Sequence, residues 1–185
     1  MKQNNKPEIH PLIRQRWSPR AFKNEMVAEE KLMAVVEAGR WAASAFNEQP
    51  WRFVIGRRGD DNYQHILSSL VEWNQTWAGK APILILNLAK QTFTHNGKAN
   101  VTASYDLGQA VANMVLEAIH QGLDAHQMSG FDAQKAAKVL HIDDDFLPVS
   151  VTALGYSGKA DDLPDDMAKM ETKTRERKPI QNLFL

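Results

Sequence analysis

The sequence predicts an α+β fold, and three patterns predict it. Pro82 to Leu88 is a nearly unbroken apolar run, the mark of a strand buried on both faces. Leu107, Ala110, Val111, Met114, Val115, Ala118 and Ile119 recur at spacings of three and four, which is the stripe of an amphipathic helix. Further short strands and helices of the same two kinds are interspersed along the chain. The length, 185 residues, suits one domain or at most two. No interdomain linker, internal repeat or low-complexity segment is visible, so residues 1–185 read as a single domain.

Taken in order, Ile9, Leu12, Ile13 and Arg16 have the spacing of a short helix, which Pro19 would stop. Ala28 to Ala43 is a second helix, with Leu32, Val35, Val36, Gly39 and Ala43 on one face and Glu29, Glu30 and Lys31 opposite. Trp51 to Ile55 is a strand ended by the turn Arg57-Arg-Gly-Asp60. Tyr63, Ile66, Leu67, Leu70 and Val71 mark a third helix. Gln91 to Asn100 is polar and reads as a surface loop. The wide, small-residue stripe from Leu107 to Ile119 is expected to be central and buried. Asp124 to Met128 is a short strand, Asp132 to Leu140 a short helix that Asp132 caps, and Pro148 to Tyr156 a last strand. Beyond Gly158 the chain is polar and ends in the apolar Ile180 and Leu183-Phe-Leu185. Residues 159–185 therefore read as an arm that wraps over something, such as a partner subunit.

Composition narrows the function. Hydrophobic residues are 43% and charged residues 24%, ordinary values for a globular protein. Lys+Arg and Asp+Glu stand at 22 each, so no overall field attracts nucleic acid or an anionic membrane. The absence of cysteine removes disulfides, thiolate nucleophiles and Cys-based metal sites. The polar start of the chain lacks the apolar run of a signal peptide, and the longest apolar run is far short of a bilayer span. The expectation is a cytoplasmic protein. The six histidines form no metal signature, Asp143-Asp-Asp145 lacks calcium-loop spacing, and no dinucleotide, P-loop or nucleophile-elbow motif is present.

Two polar clusters stand out near the start, Arg16-Trp-Ser-Pro-Arg20 and Ser44-Ala-Phe-Asn-Glu-Gln-Pro-Trp-Arg-Phe53. Each follows a helical pattern, where side chains and backbone N–H groups are exposed together. Such places suit an anionic, hydrogen-bonding ligand. A ligand with a charged end and a polar ring, of the form of flavin mononucleotide (FMN), fits two clusters so close in sequence. Read in isolation, Arg16, Ser18 and Arg20 can equally be solvated loop residues, and Ser44 and Asn47 ordinary turn residues. Asn74 can be the C-cap of the third helix.

Five segments in order resemble the nitroreductase family. They are Arg16-Trp17-Ser18-Pro19-Arg20 with Phe22 behind it; Ala38-Gly-Arg-Trp-Ala-Ala-Ser-Ala-Phe-Asn-Glu-Gln-Pro-Trp51; Asn74-Gln-Thr-Trp77 before Ala81-Pro82; the central helix leading to Gly122-Leu123 and Met128-Ser-Gly-Phe-Asp132; and Ala153-Leu-Gly-Tyr156 with a later Arg175-Glu-Arg-Lys-Pro179. The resemblance spans about Leu12 to Phe184. Ala43 stands where the family often has Pro, Ser129 where some members have an acid, and the segment before the central helix is short, leaving room for only a small lid.

The resemblance implies a central, mainly antiparallel sheet flanked by helices, in an intertwined homodimer with two FMN sites. It implies that NADH or NADPH gives a hydride to FMN N5, and that a nitroaromatic, quinone or similar flat acceptor then takes the electrons in a second step. The alternative within the fold is an FMN carrier or sensor with little turnover. By the same resemblance, Arg16 meets the phosphate, Ser18 the ribityl chain or phosphate, and Arg20 the pyrimidine edge, with Trp17 in the same segment. Ser44, Ala45 and Asn47 reach the flavin held mainly by the other subunit. Asn74 meets the pyrimidine, and backbone N–H groups of Gln127, Met128, Ser129 and Gly130 approach N5. Arg175 or Arg177 returns to the phosphate. No side chain is assigned a catalytic role, because the chemistry belongs to the cofactor.

Overall fold

The computed structural model describes residues 7–185. Its centre is a four-stranded sheet, β1 (Trp51–Arg57), β2 (Ile83–Lys90), β3 (Asp124–Met128) and β4 (Phe146–Gly155), in the order β1-β2-β4-β3. Every pairing is antiparallel, with Trp51 opposite Ala89, Ile83 opposite Leu154 and Asp124 opposite Gly155. Helices α1 (Pro11–Gln15), α2 (Glu29–Arg40), α3 (Asp61–Ser69), α4 (Glu72–Ala78), α5 (Ala103–His120), α6 (Ala133–Val139) and α7 (Asp165–Glu171) surround it. The α+β fold and the antiparallel sheet are as expected. None of the helices among the described residues is long and apolar enough to cross a membrane.

β2 is covered on both faces, as its continuous apolar run requires. Ile83 and Ile85 pack against Leu32 and Val35 of α2 and Met114 and Val115 of α5. Leu84, Leu86 and Leu88 face the other way, into Tyr63 and Ile66 of α3, Trp77 of α4 and Ala136 of α6. Gly39 lets α2 and α5 approach closely, since a Cβ there would stand 2.8 Å from Met114 Cγ. α5 is central and buried along Ala103, Leu107, Ala110, Val111, Met114, Val115 and Ala118.

β3 spans its predicted residues, and Asp132 caps α6 by accepting from the Lys135 N–H. The third helix is shorter than its periodicity suggests. It stops at Ser69, Leu70 forms an isolated bridge with Phe131, and α4 begins at Glu72. Asn74 is therefore inside α4 and is not the C-cap of the preceding helix. The segment beyond Gly158 is also not a bare arm. It contains α7, anchored by buried Leu163 and Met167, before an exposed apolar end at Ile180, Leu183, Phe184 and Leu185.

Candidate active site

Arg16, Trp17, Ser18 and Arg20 run along the β3 edge. Their path is fixed at three places. His126, in β3, donates its Nδ1–H to the Pro19 carbonyl at 2.9 Å. Glu171, the last residue of α7, accepts the Arg20 N–H at 2.8 Å and the Ala21 N–H at 3.2 Å. Phe22 then forms a bridge with Ser157 beyond β4.

The segment and the C-terminal arm enclose a cleft of about 330 Å³, lined by Arg16, Ser18, Arg20, His126, Lys173, Arg175 and Arg177 among others. That volume is at the small end of ligand pockets. Among the described residues, none of its five cations takes part in a salt bridge within 4.0 Å. Arg16 donates to Ser18 Oγ at 2.9 Å. Arg175 reaches back to the carbonyls of Arg14, at 2.8 Å, and Arg16, with its guanidinium 5.6 Å from the centre of the Trp17 ring. Burial, then the charges of Arg177 and Arg175, lower the Arg16 pKa. Arg20 Nε is a buried N–H donor with no partner among the described residues. Repelling cations and an unmatched donor are what an anionic, hydrogen-bonding ligand would satisfy, so the residues fit FMN.

The His126 ring packs against Trp77, ring centres 4.4 Å apart and planes tilted by 33°. Burial, aided by the charges of Arg20 and Arg16 and opposed by its bond to Pro19, pushes its pKa down to about 4. It is a neutral partner in the cleft. Sequence reasoning passed over it as a stray histidine. The period-two alternation of β3, which puts Asp124, His126 and Met128 on one side and Ala125 on the other, was the signal available. Lys173 was legible only as one charge in a basic run.

The second wall is where β3 ends. Asn74 Nδ2 donates to the Gly130 carbonyl at 2.9 Å, and the Val71 N–H donates to the same oxygen at 3.1 Å. A Cβ at residue 130 would stand 2.7 Å from Asn74 Nδ2, so any larger residue there would push the Asn74 amide aside. Met128 is buried in the core, whereas the side chains of Gln127 and Ser129 are exposed. Asn74 and the segment Gln127, Met128, Ser129 and Gly130 thus form one hydrogen-bonded corner.

Ser44, Ala45 and Asn47 do not join this cluster within one chain. They precede β1, which starts opposite the end of β2, and the Ala45 N–H donates to Asp106 Oδ2 of α5 at 3.0 Å. β3 lies at the other edge, three interstrand spacings or about 14 Å across the sheet. The two clusters occupy diagonally opposite corners. Ser44 Oγ and Asn47 Oδ1 are engaged locally by Gln49, at 3.0 and 3.1 Å. Phe46, Asn47 and Gln49 hold φ of 54°, 54° and 51°, left-handed values that cost energy for residues other than glycine. Phe46 is 84% exposed and is one of a ring cluster with Phe93 and His95.

The sequence profile of the nitroreductase family matches residues 13–72 and 60–156. A solved structure described as an oxidoreductase containing FMN superposes with a TM-score of 0.91 at 33% identity, over 99% of this chain and 93% of that one. An uncharacterised 15.4 kDa protein of Mycolicibacterium smegmatis is 32% identical over 142 residues, 71% of this chain and 92% of its own length. A Streptomyces griseus protein named for NADH dehydrogenase and NAD(P)H nitroreductase activity is 25% identical over 166 residues, 80% of this chain and 84% of its own length. With its fold, its cation-lined cleft and these matches, the chain belongs to the nitroreductase family.

Proposed function

We propose that this protein is an FMN-dependent oxidoreductase that uses NADH or NADPH to reduce flat electron acceptors such as nitroaromatics or quinones. The observation that carries the reading is the cleft where five cations, Arg16, Arg20, Lys173, Arg175 and Arg177, converge around Ser18, none of them in a salt bridge among the described residues. The similarity to an FMN-containing oxidoreductase and to a protein named for NAD(P)H-linked activity supports it. When bound, FMN would supply the hydride and electron-transfer chemistry that links the nicotinamide to the acceptor.

The residues of the chain hold and tune that group. Arg16, with Arg175 or Arg177, binds the phosphate, and Ser18 orients the ribityl chain or phosphate. Arg20 lies at the pyrimidine edge and stabilises the negative charge that develops there on reduction. Trp17, over which Arg175 lies, shapes the phosphate end. Asn74 orients Gly130, and the Gln127–Gly130 backbone borders the reacting face. The acceptor stacks in the remaining space, and solvent supplies protons.

The working unit in this reading is a homodimer. Ser44, Ala45 and Asn47 lie across the sheet from the cleft of their own chain, and in this reading a second copy brings them to its ligand. Exposed Met33, Trp41, Phe46, Val101 and Tyr105, and the apolar end of the arm, supply the surface such an interface needs. The strained backbone at Phe46 and Asn47 supports a functional loop. Residues 159–185 serve as the arm of a single FMN-binding domain.

The test is the absorbance spectrum of protein reconstituted with FMN, before and after NADH or NADPH without oxygen. A bound flavin spectrum that bleaches is expected. A bound spectrum that stays yellow with both nucleotides would favour the carrier or sensor, and no flavin uptake would overturn the reading.

A further inference from the structure

We infer that Glu171 is the positioning residue for Arg20, an inference that rests on the FMN reading above. Glu171 reaches its target across 151 positions in sequence, because buried Leu163 and Met167 dock α7 on the core. Its Oε1 accepts two successive backbone N–H groups, those of Arg20 and Ala21. A carboxylate oxygen in such a nest makes strong, charge-assisted bonds. Together the two bonds fix the peptide planes on both sides of the Arg20 Cα, and hence the direction in which its side chain leaves the backbone. Arg20 lies in no helix or strand that could do this instead. The Pro19 carbonyl is held by His126 and the Ala21 carbonyl by the Gly158 N–H at 2.8 Å, but the two amide donors between them depend on Glu171.

The choice of partner matters as much as the contact. Glu171 forms no salt bridge within 4.0 Å with the Arg20 guanidinium among the described residues, and Arg20 Nε and Glu171 Oε2 are both buried without partners. The acid holds the main chain of Arg20 and leaves the guanidinium to the ligand. A direct ion pair would have cancelled the charge that the pyrimidine edge requires.

The test compares Glu171→Ala, Glu171→Gln and Glu171→Asp by FMN affinity and by the reduction potential of the bound flavin under FMN saturation. Glu171→Ala should raise the FMN dissociation constant about tenfold, as expected for losing charge-assisted bonds. It should lower the bound potential in the same direction as Arg20→Ala, and adding it to Arg20→Ala should lower the potential no further. Glu171→Gln keeps an oxygen for both N–H groups and should rescue most of the effect. Glu171→Asp keeps the charge, withdraws the oxygen and should resemble Glu171→Ala, which serves as the reading if the alanine variant does not fold. An unchanged potential in FMN-loaded Glu171→Ala, or in Glu171→Asp where it replaces alanine, would overturn the inference while leaving the FMN reading intact. A glutamine variant as impaired as the alanine one would overturn it too. Failure of the wild type to take up FMN would overturn both.

Discussion

Lowering the pH below about 6.5 should destabilise this protein through His126. In the folded chain His126 is neutral, its Nδ1–H committed to the Pro19 carbonyl and its pKa pushed down to about 4, first by burial and then by Arg20 and Arg16. In the unfolded chain it titrates near 6.5. Below 6.5 the unfolded state therefore binds a proton that the folded state refuses. The stabilising term is complete above pH 6.5 and is lost as the pH falls toward 4. Its slope approaches 1.4 kcal/mol per pH unit, and over the whole interval it amounts to about 3 kcal/mol. That is a large share of a typical domain stability of roughly 5–15 kcal/mol. The assay is urea unfolding at a series of pH values from 7.5 to 4.5, for the wild type and for His126→Asn. Asparagine can place an N–H donor near the Nδ1 position but does not titrate. Glu37, held at about 2 by its bonds to Arg40 and Trp41, and Glu48, lowered chiefly by its bond from Thr94, also lose their stabilising contribution as the pH falls. Their effect begins lower and is common to both proteins, so it cancels in the difference. The wild type should lose stability more steeply than the variant between pH 6.5 and 4.5. Parallel curves would refute the burial-and-cation account of His126.

Further outcomes follow from the same geometry. Arg20→Ala should weaken FMN binding roughly ten- to a hundredfold, the effect of one lost charge-assisted bond, and lower the potential of the flavin that still binds; an unchanged potential would remove Arg20 from the pyrimidine edge. FMN affinity should fall steadily with added salt, because the cleft gathers five cations; equilibrium titration between 50 and 500 mM salt checks this, and a flat response would argue against a phosphate clamp. Gly56→Ala should destabilise the fold by about 1–3 kcal/mol or prevent folding. The new Cβ would stand 2.5 Å from Tyr63 Cα and 2.6 Å from its N, backbone atoms that cannot swing aside; thermal unfolding within a degree of wild type would contradict this. Ending the chain at Thr172 removes Lys173, Arg175, Arg177 and the apolar end. It should weaken both FMN binding and self-association, read by flavin titration and sedimentation, and a dimer of wild-type strength would deny the arm its bridging role.

Elements whose evidence is local were legible in the sequence. β2 appears as one apolar run because both its faces are covered, and α5 as one stripe because a single face of it is. Asp132 caps α6 by a contact three residues away. What escaped was decided by distant partners. Tyr63 to Val71 keeps helical spacing throughout, yet the chain breaks at Leu70, where the bridge to Phe131 and the Val71–Gly130 bond replace helical hydrogen bonds. Two apolar residues, Leu163 and Met167, are too few to announce α7 within a charged run. At the site, Arg16, Ser18, Arg20, Asn74, Arg175 and Arg177 were readable as residue types in motifs. His126 and Glu171 were not, because each acts by holding the backbone of Arg16–Arg20 from more than a hundred residues away.

The separation of the two clusters has a genetic consequence in the dimeric reading. Each cleft would be assembled from the Arg16–Arg20 corner of one chain and the Ser44–Asn47 corner of the other. A chain defective in the first corner and a chain defective in the second would each be inactive alone. Mixed, they would pair so that one cleft collects both lesions and the other collects none. Two dead alleles would then restore one working centre per heterodimer, about half the activity per dimer.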